Sequence, residues 1–177
     1  MSDDGRDSVS LLNTWGSIRL DMSRYGGYWT RHPGFWVTLS YRVRRLRKFG
    51  GKIFLLLFPL DILLGFIRFF ISDSSIPSAI LVGGGLYLPH PNGLIFNHRV
   101  KIGNNVAIFQ QVTLGEWRGG APVIEDGCAI YAGAKVFGDV VVGTQSKLGA
   151  NVVVNSSIPP FSSVAVQAVK ISSYSKT

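Results

Sequence analysis

The sequence predicts a mainly β protein, a parallel β-helix of hexapeptide repeats preceded by an α-helical N-terminal segment, and three observations carry that reading. Large aliphatic residues recur every six positions from residue 124 onward. The chain before Ser72 has a different texture, with long side chains and few turn residues. The periodic half breaks register in one place only, at a short insert. Neither a helix nor an ordinary two-sided strand gives a strict period of six, whereas short strands separated by tight corners do.

Residues 1–73 form the first unit in this reading. The opening "MSDDGRDSVS" has acidic residues and no apolar h-region, so no secretory signal is visible and a cytoplasmic location is expected. The run "RLRKFGGKIFLLLFPLDILLGFIRFFIS" reads as helix, broken at Gly50-Gly51 and near Pro59. Residues 53–71 are apolar enough to raise the question of a membrane span, but Pro59, Asp61 and Arg68 interrupt them. A charge at the centre of a span costs about 2.5 to 3.5 kcal/mol on insertion scales. An interfacial or packed helix is therefore expected.

The formal net charge of +8 is unevenly spread. From Arg19 to Lys52 there are nine basic residues and a single acid, Asp21. With Trp29 and Trp36 interleaved, that segment suits either a solvated helix face or peripheral contact with the inner face of an anionic membrane. Nucleic acid is not an expected partner.

Residues 74–177 form the second unit. The leading aliphatics are Ile124, Ile130, Val136, Val142, Leu148 and Val154, and the same register runs upstream through Phe96, Ile102, Ile108 and Leu114. With three repeats to a triangular coil, residues eighteen apart stack. Ile124 then lies against Val142, Ile130 against Leu148, Val136 against Val154 and Phe96 against Leu114. Glycines and asparagines take the backbone strain of the corners. Leu114 to Ile124 spans ten residues instead of six, so "GEWRGG" bulges out as a loop carrying Trp117 and Arg118. Loops that interrupt a solenoid tend to lie over its binding face.

Cys128, the single cysteine, excludes an internal disulfide and a multi-cysteine metal site, and falls in a slot that needs a small buried residue. The three histidines, at 32, 90 and 98, lack the spacing of a zinc site between repeats, so no metal is expected. His98 reads as a solvent-facing corner residue. His90, in "GLYLPHPNGLIF", sits between two prolines that hold the backbone out of the helical region. Counting back in sixes from Phe96 puts it in a leading slot, with Ile108 as its stacking neighbour. An imidazole in a dry core is costly, so a groove at a prism face is expected to receive it.

The segments "LPHPNG", "VKIGNNVAIFQQVTLG" and "IYAGAKVFGDVVVG" and the corner at Pro159-Pro160 resemble, in that order, the left-handed β-helix acyltransferases. The similarity covers residues 76–171 and is nearest to the serine O-acetyltransferases and their relatives in polysaccharide biosynthesis. The resemblance implies acetyl-CoA as co-substrate and a homotrimer whose active site lies between neighbouring prisms. It implies His90 as general base, a role that imidazole suits. It implies Ala132, Gly133 and Ala134 as the surface for pantetheine, and Lys170 near the nucleotide phosphate.

Two departures bear on the acceptor. Where serine acetyltransferases have an aspartate before the histidine this chain has Pro89, and where they have an Arg-His pair in the long loop it has Gly120 and Ala121. Asn92, Trp117 and Arg118 suit a glycosyl acceptor, so acetyl transfer to a hydroxyl of a sugar or polysaccharide precursor is expected. Serine O-acetylation in cysteine biosynthesis is the alternative, and a non-catalytic β-helix scaffold is a second one.

Overall fold

The computed structural model describes residues 11–49 and 51–166. Three helices come first: α1 (Leu11–Ser23), α2 (Pro33–Phe49) and α3 (Phe58–Ile71). Short 3-10 turns, Gly26–Arg31 and Lys52–Leu57, link them. Pro59 falls within the first turn of α3, where its missing N–H leaves no bond unmade.

Twelve short strands follow, β1 (Leu81–Val82), β2 (Ile95–Phe96), β3 (Lys101–Ile102), β4 (Ala107–Ile108), β5 (Thr113–Gly115) and β6 (Val123–Ile124), then β7 (Ala129–Ile130), β8 (Lys135–Phe137), β9 (Val141–Val142), β10 (Lys147–Leu148), β11 (Val153–Val154) and β12 (Ser163–Val164). They stack in parallel into three four-stranded faces, β1-β3-β6-β9, β4-β7-β10-β12 and β2-β5-β8-β11. This is a left-handed β-helix of about five coils.

In each coil the second strand residue points inward, and Ile108, Leu114, Ile130, Val136, Val142 and Leu148 have no exposed surface. The expected eighteen-residue pairs are all present: Phe96 with Leu114, Ile124 with Val142, Ile130 with Leu148 and Val136 with Val154. The coil that carries the insert stacks at twenty-two residues, Ile102 on Ile124. The last coil is tighter, with Leu148 paired to Val164.

The first coil differs from expectation. Val82 pairs with Ile102 and Tyr87 with Ala107, twenty residues apart. The residue beneath Ile108 is therefore Leu88, which is fully buried, and His90 does not occupy a leading slot. Two extra residues lie between Leu88 and Leu94, and they push His90 out into a corner. The physical reason is the one that raised the difficulty: the core takes the leucine and leaves the imidazole in water.

The helices close the end of the prism beside this first coil. Val37 and Tyr41 of α2 join the same apolar core as Ile80, Leu86 and Leu88. Arg42 Nε and Nη2 donate to the two Asp21 carboxylate oxygens at 3.0 and 3.2 Å, while Nη1 and Nη2 donate to Val82 O and Gly83 O at 2.7 and 2.5 Å. Leu86 N–H donates to Asp21 Oδ1 at 2.9 Å. Burial pushes the Asp21 carboxyl up against the opposing pull of Arg42.

Much of the basic segment is thus occupied internally. Arg45 donates to the carbonyls of Ser78, Ala79 and Ile80, and Arg44 and Arg47 both pair with Asp61. Removing one partner of a buried ion pair leaves the other uncompensated, so Asp21→Ala should lower stability by about 3–5 kcal/mol. Chemical denaturation of the two proteins measures it.

Candidate functional site

The prism has three corners, and the backbone makes two of them with left-handed residues stacked coil on coil. Gly85, Asn105, Gly127, Gln145 and Phe161 line the corner between the first and second faces, and Gly93, Gln111, Gly133 and Asn151 line the next. His90 belongs to this second corner, in its first coil. The corner is a column joined by backbone bonds: Gln111 N–H to Asn92 O at 2.8 Å, Gly133 N–H to Gln110 O and Asn151 N–H to Ala132 O, both at 2.9 Å. Ala132-Gly133 therefore lies two coils from the His90 loop on one edge, about 10 Å along it at the usual strand spacing.

The loop that carries His90 is braced from both sides by the helical half. Tyr25 of the α1–α2 connection bridges Leu88: the Leu88 N–H donates to its hydroxyl at 2.9 Å, and that hydroxyl donates to Leu88 O at 3.4 Å. Burial holds the Tyr25 phenol well above its ordinary range, so it stays a donor. Gly34 at the start of α2 sits against Leu88, where a Cβ would run into the carbonyl oxygen. His32, which had no assigned role, packs its ring 5.3 Å from Tyr25.

On the other side, the residues after α3 hold the second half of the loop. The Ser72 and Ser74 hydroxyls both donate to Pro91 O, the latter at 2.6 Å, and Leu94 N–H donates to Ser74 Oγ at 3.1 Å. Gly93 N–H donates to Asp73 Oδ1 at 2.6 Å. Pro91 is buried while His90 and Asn92 are exposed. The result is an accessible imidazole on an anchored backbone, with no side-chain hydrogen bond of its own among the described residues.

The remaining site expectations separate. Ala134 is fully buried within the core, and its backbone N–H and carbonyl bond to Tyr131 O and Thr113 N. It offers a cofactor nothing beyond the shape of the corner. Gly133 is buried with φ of 73°, and a side chain there would meet the Asn151 amide. Ala132 alone of the three has partial exposure. Lys170 lies outside the described residues.

Trp117 and Arg118 are on the third corner. Residues 116–120 form a tight hairpin in which Trp117 and Gly120 exchange backbone bonds at 3.0 and 3.1 Å, with positive φ at Arg118 and Gly119. The guanidinium of Arg118 lies 4.4 Å over the Trp117 ring, and the hairpin leans on Gly138 and Asp139. Within one chain Trp117 and Arg118 do not share a corner with His90. They can share a site with it only across two copies.

Sequence reasoning missed Asp73. It lies in the helical unit by sequence and on the His90 corner in space, and its second carboxylate oxygen is unpaired among the described residues. Residues Phe109 and Tyr131, stacked at 4.9 Å, also line this edge. An open concavity of about 420 Å³ lies over the second face, lined by Arg24, Asn105, Asp126, Gln145 and Lys147, and does not include His90. No group of three metal-ligating side chains exists among the described residues.

Cys128 is buried, its thiol directed at Gly143 O at 3.2 Å, and burial raises its pKa. Alkylation by iodoacetamide at neutral pH should be slow in the folded protein and fast in denaturant. A thiol count over time checks it. Ser74→Ala should cost about 1–3 kcal/mol by stranding Leu94 N–H and weakening the hold on Pro91 O, which denaturation measures.

No family model matches the chain. A serine acetyltransferase of Bacillus subtilis is 41% identical over 101 residues, 55% of this chain and 46% of the relative. The chain thus spans less than half the length of that curated relative. Among solved structures, serine acetyltransferase isoform 3 of Entamoeba histolytica, in complex with cysteine, superposes with a TM-score of 0.75 at 23% identity, over 92% of this chain and 62% of that one. A serine acetyltransferase in complex with CoA gives 0.68 at 26% identity, over 86% and 67%. The chain therefore shares sequence with a curated serine acetyltransferase over 55% of its length and shares its left-handed β-helix fold with solved ones, and the serine O-acetyltransferases are the proteins it resembles.

Proposed function

We propose that this chain is an acetyl-CoA-dependent O-acetyltransferase whose acceptor is L-serine and whose general base is His90. The observation that carries the proposal is the second corner itself. It presents an exposed imidazole on a backbone fixed by Tyr25, Ser72 and Ser74, two coils from the small Ala132-Gly133 surface. In this reading the imidazole takes the proton of the acceptor hydroxyl as that oxygen attacks the thioester carbonyl. A backbone N–H holds the developing oxyanion, and collapse breaks the carbon–sulfur bond. The proton then passes to the departing thiolate, giving the O-acetyl ester and free CoA.

The acceptor favoured by sequence alone, a sugar hydroxyl, has no support from the named relatives, which are serine acetyltransferases. The structure also supplies a reason to revise it. The sequence argument rested on Pro89 standing where serine acetyltransferases have an aspartate and on Gly120 and Ala121 standing where they have an Arg-His pair, and Asp73 brings a carboxylate to the His90 corner from another segment. Its carboxylate, fixed by Gly93 N–H, is placed on the same corner to receive an ammonium. The sugar reading retains one observation, the flanking of His90 by Pro89, Pro91 and Asn92.

A homotrimer completes the site in this reading, because Trp117 and Arg118 of one copy can meet His90 only from another. His90→Ala should lower turnover by about a hundredfold to ten-thousandfold with acetyl-CoA affinity unchanged. Near-normal turnover would remove His90 from the mechanism. Asp73→Asn keeps an acceptor for Gly93 N–H while removing the charge, and should raise KM for serine by about tenfold to a hundredfold. A competition assay at equal concentrations of L-serine and sugars decides the acceptor, and selective use of a sugar would overturn serine.

A further inference from the structure

The outer surface of α3 departs from the rest of the molecule. The helix has two charged residues and turns both inward. Asp61 is buried and accepts from Arg44 Nε at 3.4 Å and Arg47 Nε at 2.7 Å. Arg68 Nη1 donates to Ser74 O at 3.1 Å. A water-facing helix shows the reverse, charges outward and apolar residues in. Here Ile62, Leu63, Phe66, Phe69 and Phe70 remain outside, and the two last are 75% and 80% exposed. The 3-10 turn ahead of α3 extends the same surface with Leu55 and Leu56, at 59% and 80%.

We propose that this face seats in the interface of an anionic lipid bilayer, in the plane of the membrane. No helix among the described residues is long and apolar enough to cross a membrane. Fourteen residues reach only about 21 Å. The inner side of α3 is committed to α2 through the Asp61 pairs, so the outer side alone is available.

Charge at the rim selects anionic lipid. Lys48 and Lys52, at the end that leads into the patch, are exposed and form no ion pair among the described residues, and the Arg47 guanidinium lies 5.5 Å over the Phe58 ring at its edge. The acid of α3, Asp61, is already shared by two arginines. No carboxylate among the described residues pairs with either lysine, so the rim is net positive and attracts a counter-charge from outside the chain. A second copy meeting the patch across a two-fold axis would bring the same residues and no new acid, whereas anionic headgroups over a buried apolar face supply it. Because α3 runs straight into Ser72–Ser74, the bilayer would lie at the helical end of the prism, the end that holds His90.

The test is flotation of the full chain with vesicles of phosphatidylcholine, with and without phosphatidylglycerol. The expected result is flotation with the anionic vesicles that weakens as salt is raised. Phe66→Ser/Phe69→Ser/Phe70→Ser should bind about a thousandfold more weakly, since each phenyl ring removed from the acyl boundary is worth about tenfold. Lys48→Glu/Lys52→Glu should lose the preference for anionic lipid. Circular dichroism establishes that both variants fold, as expected for exposed positions. Failure of the folded wild-type chain to float with either vesicle overturns the proposal. So does a triple variant that still floats, and so does one that shrinks the oligomer while the wild-type chain ignores lipid, which assigns the face to a second copy.

Discussion

Each coil of a β-helix buries its aliphatic residues against the coils above and below it, so a coil at an end of the stack has one bare side. This constraint accounts for the helical half of the protein. Val37 and Tyr41 of α2 enter the core beneath the first coil, and the Tyr41 hydroxyl donates to Ile80 O at 2.8 Å. Arg42 and Asp21 satisfy the carbonyls and the N–H that the first coil cannot pair with a predecessor. Polar groups left open at a buried sheet edge are costly, and a basic helix is well supplied with donors to meet them.

The same capping fixes the candidate site. His90 lies in the coil nearest the helices, where the repeat has two extra residues and the backbone would otherwise be loose. Tyr25 and Gly34 come from the α1–α2 connection and the start of α2, Ser72, Asp73 and Ser74 from the segment after α3, and together they grip the loop at Leu88, Pro91 and Gly93. Rigidity at the site and stability of the stack therefore depend on the same contacts. The solvent-facing side of α3 is the exception, since neither the core nor the His90 loop needs its phenylalanines outside.

Particular residues show how far the sequence could be read. The inward positions from Phe96 to Val154 follow from period six, because every coil repeats one steric demand. The first coil was misread by counting back from Phe96, although Ile76, Val82 and Leu88 keep the same spacing on the far side of the insertion and would have located it. Cys128 and His98 were legible from their slots. Ala134, which the resemblance implies as part of the pantetheine surface, shares its offset with Cys128 and Val140, and all three side chains are buried. Asp73 and His32 were not legible as neighbours of the site, because nothing local ties a residue after α3 or before α2 to a corner some twenty or sixty residues away.

What the sequence determined by itself is the set of facts that repeat, the β-helix, the coils and the corners, dictated by short-range sterics and burial acting identically every few residues, together with the insert, which shows as a break in that repeat. Tertiary structure alone decided what happens once. It placed Leu88 in the core and His90 in water, assigned Trp117 and Arg118 to a different corner, and brought Asp73 to the histidine's edge. It also turned Asp61 and Arg68 inward and left the phenylalanines of α3 outside. Each of these outcomes rests on a contact between segments distant in the chain, and a one-dimensional pattern has no term for such a contact.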